Sequence, residues 1–221
     1  MPCEPRLPEG SSSDALCPKL FARISGWGSS AAAFRVRRII GNAFAPGARV
    51  LDIGTGPGTI PLQLQRMFPA TVFFGCDISG DMLTLARARS IKKKIPLGLF
   101  AGDAQQLPCA DRTIDVALCL FALHHLDEPA RFLREVDRVL KPEGTLLILD
   151  FRRDMPRLLF RVLNALWQGC FFFSTGRRGL RDSVRSAWCP AELQEILHGC
   201  GLTRLQVHAR SMELLITNKP A

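Results

Sequence analysis

The sequence predicts an α/β fold: a mostly parallel sheet with helices on both faces. Three observations predict it. Short β-branched or apolar runs alternate with stretches of helical periodicity, as in successive βαβ units. The first such run stops at a glycine-dense turn, "VLDIGTGPGTIPLQL" over 50–64, and restarts as a helix. Two apolar runs joined by a tight turn close the chain as a hairpin. With 221 residues and 47% hydrophobic content, the chain can bury one full core.

The elements follow in order. "RVLDIG" (49–54) reads as the first strand, and "TIPLQLQRMF" (59–68) as a helix that tolerates Pro61 in its first turn. "TVFFGCD" (71–77) is the second strand, and "SGDMLTLARARS" (79–90) a helix with Ser79 as its N-cap. "PLGLFAGD" (96–103) and "TIDVALCLFAL" (113–123) are the third and fourth strands. "EPARFLREVDRVL" (128–140) is an amphipathic helix that "KPEG" stops before a fifth strand, "TLLILDF" (145–151). A long apolar helix is expected over 155–173, then a basic loop, "STGRRGLRDS", and a helix over 189–201. The runs 202–209 and 211–219 are strands six and seven. Residues 1–18, rich in Pro and Ser and without an apolar signal core, read as a flexible leader. Residues 19–221 read as a single domain with a helical lid or insertion at about 152–188.

Net charge is +9, which favours anionic partners. The excess is local: between 151 and 185 stand eight arginines (152, 153, 157, 161, 177, 178, 181, 185) against two acids, Asp154 and Asp182. The eight cysteines include no CxxC pair or zinc spacing, so they read as free thiols in a reducing compartment and no metal is expected, the sharper alternative being a soft-metalloid substrate held by thiolates. No apolar run is long enough to span a bilayer, and a cytoplasmic location is expected.

The glycine turn carries the chemistry. In an open parallel sheet, ligands bind beyond the carboxyl ends of the strands, and the turn after the first strand is a usual place. Gly54, Gly56 and Gly58 form G-x-G-x-G, with Thr55 between the first two and Asp52 just ahead. A dinucleotide fingerprint would be G-x-G-x-x-G, so nicotinamide binding fits poorly. Such turns also serve simply to pack a helix on a strand. Asp77 ends the second strand, 19 residues past Gly58, where an acid can accept both hydroxyls of a ribose or act as a turn residue. Asp103 ends the third strand, where it can meet an adenine amino group or stand solvated. Three acids and this turn suit a nucleoside with an amino-acid tail.

These segments, together with "GDAQQLPCADRTIDVALCLFALHHLDEPARFLREVDRVLKPEGTLLILDF" (102–151), resemble a class I S-adenosylmethionine-dependent methyltransferase. The resemblance is to the small-molecule (methyltransferase type 11) branch that includes the ubiquinone/menaquinone C-methyltransferases. It covers about 48–151 and resumes at 190–218. It implies a Rossmann-like seven-stranded sheet in order 3-2-1-4-5-7-6, with strand seven antiparallel. It implies S-adenosyl-L-methionine as cofactor, with the turn Gly54–Thr55–Gly56–Gly58 at its methionine part and Asp52 supporting that turn and the amino group. Asp77 is implied at the ribose, Ile78 and Met82 against the adenine, and Asp103 and Ala104 at the adenine edge. The quinone enzymes carry an Arg-Asn pair after strand four; this chain has "FALHH" (121–125), which puts quinone methylation in doubt.

The expected activity is methyl transfer by in-line displacement to a small-molecule acceptor, apolar or anionic. His124 and His125 leave strand four where the reacting methyl should lie. Only one is expected to face the pocket, and His125 is favoured as the base; either can also simply pack. The 155–173 helix reads as a pocket cover, or as a peripheral membrane contact near a lipophilic substrate. Competing readings are a quinone-type lipid C-methyltransferase, an RNA methyltransferase and a non-catalytic S-adenosylmethionine-binding module. Nucleic acid is disfavoured, because no Asn/Asp-Pro-Pro-aromatic segment follows strand four and the basic stretch lacks interleaved aromatics.

Overall fold

The computed structural model describes residues 6–7, 18–170 and 179–219. Strands β1 (Arg49–Ile53), β2 (Val72–Asp77), β3 (Gly98–Ala101), β4 (Ile114–Leu120) and β5 (Leu140–Phe151) run parallel. β6 (Gln206–Ala209) and β7 (Glu213–Thr217) form the closing hairpin, with β7 antiparallel to β5. The sheet order is β3-β2-β1-β4-β5-β7-β6, as the resemblance implies. The order runs outward from β1 in one direction and from β4 in the other, which opens a crevice at their carboxyl ends.

Period-two alternation sorts the strand residues between two cores. Val50, Val116, Leu118, Leu120, Leu147 and Leu149 face α1 (Pro18–Ile40) and α2 (Thr59–Met67), with α3 (Gly80–Lys93) packed beside them. Their neighbours Leu51, Ala117, Cys119, Leu146 and Ile148 face α4 (Pro129–Val139) and α7 (Pro190–Gly199). The helices answer at helical spacing, with Ala33, Val36 and Ile40 on α1 and Phe132, Leu133, Val136 and Val139 on α4. Between β5 and α7 lie α5 (Arg157–Cys170) and α6 (Gly179–Ser186).

Several boundaries differ from the sequence reading. Helix α1 begins at Pro18, at the edge of the expected leader, and was not anticipated. Within that leader, Arg6 and Leu7 are held by hydrogen bonds described below; residues 1–5 and 8–17 lie outside the described residues. Strand β5 starts at Leu140, five residues early, because "KPEG" is carried into the strand past a register shift between Ile114 and Val116. The end of the expected "STGRRGLRDS" loop is helical: Leu180 and Val184, one turn apart, bury themselves against Met155. Cys76 and Cys119 are buried free thiols, and burial pushes the Cys76 thiol up to about 12. Cys189, read as a free thiol, is instead disulfide-bonded.

Candidate active site

The glycine turn is built from three glycines with three different reasons. All have left-handed backbone: φ is +71° at Gly54, +52° at Gly56 and +68° at Gly58. A Cβ on Gly54 would lie 2.5 Å from the Ala122 methyl, and one on Gly58 would lie 2.9 Å from that of Ala86. These two glycines let the turn pack on the strand-four loop and on α3. A Cβ on Gly56 would meet nothing within 4 Å. The open approach expected of the whole turn is therefore concentrated at Gly56.

The backbone of the turn is anchored to the end of β2. The N–H groups of Gly54 and Thr55 both donate to the Cys76 carbonyl, at 2.9 and 3.0 Å. The Gly56 N–H donates to Asp77 Oδ2 at 2.7 Å, and the Ser79 N–H to Asp77 Oδ1 at 2.9 Å. Asp77 thus serves the loop structurally, and each carboxylate oxygen retains a further lone pair for another donor. Arg89 of α3 locks the far side of the turn through the Pro57 carbonyl (3.1 Å) and the Thr59 hydroxyl. Helix α2 opens with Gly58, which provides no side-chain cap, and its first turn has no acid. Its N–H groups therefore favour an anion such as a carboxylate.

Asp52 lies beneath this turn, 3% exposed. Its Oδ2 accepts from the Thr55 hydroxyl at 2.7 Å, while its buried Oδ1 lacks a hydrogen-bond partner. Burial pushes the Asp52 carboxyl up to about 7, the Thr55 hydrogen bond opposes the shift and the Asp77 charge adds to it. A buried acid with one unpartnered oxygen suits a cationic ligand group.

The adenine side follows the sequence reading in position. Ile78 is 79% exposed beside Asp77, an apolar surface with no protein cover. Ser79 caps α3 by accepting from the Met82 N–H at 3.4 Å, which sets the half-buried Met82 near it. Asp103 closes an Asx turn, its Oδ1 accepting from the Gln105 N–H at 2.8 Å, with Ala104 half-buried between them. The Gly102 N–H donates to the Asp77 carbonyl, so the ends of β2 and β3 stay together.

The two histidines separate. Both belong to a 3-10 turn, Leu123–His125, that follows Phe121. Phe121 has φ +56°, a conformation that costs a non-glycine residue about 1–3 kcal/mol and tends to mark functional loops. His124 is buried. Its Nδ1 lies 2.7 Å from Asp150 Oδ1, and its N–H donates to Asp150 Oδ2 at 2.8 Å. His125 is exposed, its ring 4.1 Å from that of His124. Asp150 was missed at the sequence level. Its signal was present: "LILDF" ends β5 with an acid, as Asp52, Asp77 and Asp103 mark the ends of theirs.

Helices α5 and α6 pack together through Met155, Leu163, Trp167, Leu180 and Val184, and α6 touches the histidine turn. Part of the basic character of this region is structural, since Arg152 pairs with Asp154 at 2.7 Å and Arg153 with Glu192. Arg161, Arg181 and Arg185 are exposed.

Residues 51–148 match a family model described as a methyltransferase domain. The chain is 34% identical over 143 residues to a demethylmenaquinone methyltransferase of Deinococcus radiodurans, covering 65% of this chain and 56% of that protein. It therefore spans little more than half of that relative's length. It is 30% identical to the ubiquinone/menaquinone biosynthesis C-methyltransferase UbiE of Cellvibrio japonicus, covering 73% of this chain and 70% of that one. Among solved structures, a putative S-adenosyl-L-methionine-dependent methyltransferase from Methanococcus maripaludis shares the fold. Its TM-score is 0.67 at 15% identity, covering 98% of this chain and 95% of that one.

Proposed function

This chain belongs to the class I S-adenosylmethionine-dependent methyltransferases, on the ubiquinone/menaquinone C-methyltransferase-like branch, and on that premise we propose that its acceptor is a lipophilic small molecule met at a membrane surface, with a quinol as the candidate to test although "FALHH" replaces the quinone enzymes' Arg-Asn pair here. It is an enzyme that transfers a methyl group to a small molecule. The residues present fit the cofactor on two counts: the unpartnered Asp52 Oδ1 and the open space over Gly56. Asp52 and the Gly54–Gly58 turn would hold the methionine part, Asp77 the ribose hydroxyls, and Ile78, Met82, Asp103 and Ala104 the adenine. S-adenosylmethionine, when bound, supplies a methyl group on a sulfonium that leaves readily.

The protein's own task is to orient the acceptor, keep water out and receive a proton from a hydroxyl or ring carbon. Asp150 fixes the ring and backbone of His124, and that buried pair shapes the loop. His125, exposed at its edge, is the group we assign to the acceptor's proton.

The observation that carries the acceptor reading is the outer face of α5. Leu158, Val162 and Leu166 recur every fourth residue and are 74%, 49% and 63% exposed. The other face, with Phe160, Leu163 and Trp167, already packs on α6. Arg161 flanks the exposed stripe, Arg181 and Arg185 stand on the adjoining helix, and α5 contains no acid. A helix of this kind lies in an anionic lipid interface, each arginine near the surface adding about 1 kcal/mol. No described helix is long and apolar enough to cross a membrane.

The test combines turnover and binding. With S-adenosylmethionine, a short-chain demethylmenaquinol should yield its methylated product by mass spectrometry. The protein should sediment with phosphatidylglycerol vesicles and not with neutral ones, and Leu158→Glu/Leu166→Glu should abolish it. No product would overturn the quinol candidate, and vesicle binding indifferent to those substitutions would overturn the membrane reading. Self-association through α5 would appear instead as a concentration-dependent mass without vesicles.

A further inference from the structure

Arg6 ties three distant parts of the chain to one point. Its side chain, 12% exposed, donates from Nη2 to the carbonyls of His124 (3.0 Å) and Leu126 (3.1 Å). Nη1 donates to Asp127 Oδ1 at 2.9 Å, and Nε to the Ser186 carbonyl at 2.7 Å. The guanidinium plane lies 4.4 Å from the Trp188 ring centre. The neighbouring Leu7 N–H donates to the Arg185 carbonyl at 3.3 Å. One planar cation thus joins the amino-terminal segment, the histidine loop and the junction of α6 with α7.

We propose that Arg6 is a positioning residue for methyl transfer, holding the histidine loop at a fixed place beside α6. The loop needs such a hold. It is entered through Phe121 in a backbone conformation that persists only when its surroundings enforce it. Asp150 grips it from the sheet side, through His124. Arg6 grips the opposite side, through carbonyls of that turn and the residue after it. The α6–α7 junction is steadied in the same way by Arg153, which donates to the Ala187 carbonyl. Removing the Arg6 guanidinium leaves three carbonyls and Asp127 without their donor, and the loop that presents His125 loses its outer support. None of these contacts involves the glycine turn, Asp77 or Asp103, so binding of the adenosyl skeleton should survive the loss. A lysine does not substitute. Its ammonium is a compact donor that cannot span four acceptors and stack on an indole together.

The proposal rests on the assignment of the histidine loop to the acceptor side, and its test separates the two. In the full chain, Arg6→Ala should speed amide exchange of residues 122–127 by about tenfold or more and leave the amides of β1 and β2 unchanged. Affinity for S-adenosylhomocysteine by calorimetry should stay within about twofold, and turnover of the quinol should fall about tenfold or more, a split between kcat and cofactor binding. Arg6→Lys should behave like the alanine variant, and added ethylguanidinium should restore both loop protection and turnover in Arg6→Ala. Where the alanine variant does not fold, Arg6→Gln and Arg6→Lys take the same measurements. Unchanged exchange in 122–127 would overturn the proposal, as would exchange rising across the whole sheet together with lost S-adenosylhomocysteine affinity. A wild-type protein inactive on the quinol counts against the acceptor reading alone, and the exchange and binding arms still decide the role of Arg6.

Discussion

Acidifying the solution from pH 8 to pH 6 should weaken S-adenosylhomocysteine binding about tenfold, and Asp52→Asn should erase that dependence. The Asp52 carboxyl is pushed up to about 7, chiefly by burial. In the empty site it is therefore mostly neutral at pH 6 and mostly ionised at pH 8. A ligand ammonium beside the unpartnered Oδ1 favours the ionised form, so binding below pH 7 must first expel a proton. Each pH unit below 7 then costs about 1.4 kcal/mol, a factor of ten, until the lower pKa of the complex is reached. The sign for folding is opposite. A carboxyl whose folded pKa lies above its unfolded value of about 3.9 makes the empty protein less stable as pH rises from about 4 to about 7. The total is on the order of 4 kcal/mol for a shift of about three units. Asp52→Asn should recover part of that at pH 8 while binding ligand more weakly. Calorimetry in buffers of different ionisation heat should detect release of about one proton per ligand at pH 6. Affinity that is flat between pH 6 and 8, or an asparagine variant that binds like wild type, would refute the reasoning.

Other outcomes follow from the same site. Asp77→Ala should cut cofactor affinity at least tenfold, about 1.5–3 kcal/mol of hydrogen bonding to an ionised acceptor, by equilibrium dialysis; undiminished affinity would remove Asp77 from the ribose. Gly54→Ala and Gly56→Ala should part company in thermal unfolding. The first loses several degrees, because its methyl meets Ala122. The second loses about 1–2 kcal/mol of backbone preference alone and is the one that crowds the ligand. His124→Ala should destabilise by about 1.5–3 kcal/mol in urea titration, because the imidazole's hydrogen bond to the buried Asp150 is lost while the N–H groups of residues 124 and 151 still serve it. His125→Ala should keep wild-type stability and lower turnover more than binding; a wild-type rate would exclude it as the base.

The sheet was legible in the sequence because its strands are short apolar runs, and the first three end at a glycine or an acid. The buried β1 and β4 read clearly as continuous apolar strands. Helix α1 was not legible: its packing positions Ala33, Val36 and Ile40 are diluted by small and basic residues. Helix α6 was mistaken for a loop because two buried residues, Leu180 and Val184, are outnumbered by charges. At the site, the glycines and acids were readable because each sits at a strand end with fixed spacing. The division between His124 and His125 was not, since it depends on Asp150, 26 residues further on. Arg6 left no trace in local pattern, since its partners lie 118 to 180 residues away.

Gly54 and Ala122 sit so close that the glycine turn and the start of the histidine loop admit no added methyl between them. Redesign by enlarging side chains at either position would pry these two segments apart. Helices α5 and α6 touch the rest of the fold through Phe151 and Met212 and, at the end of α6, through the histidine turn and Arg6, so reshaping them reaches that turn as well.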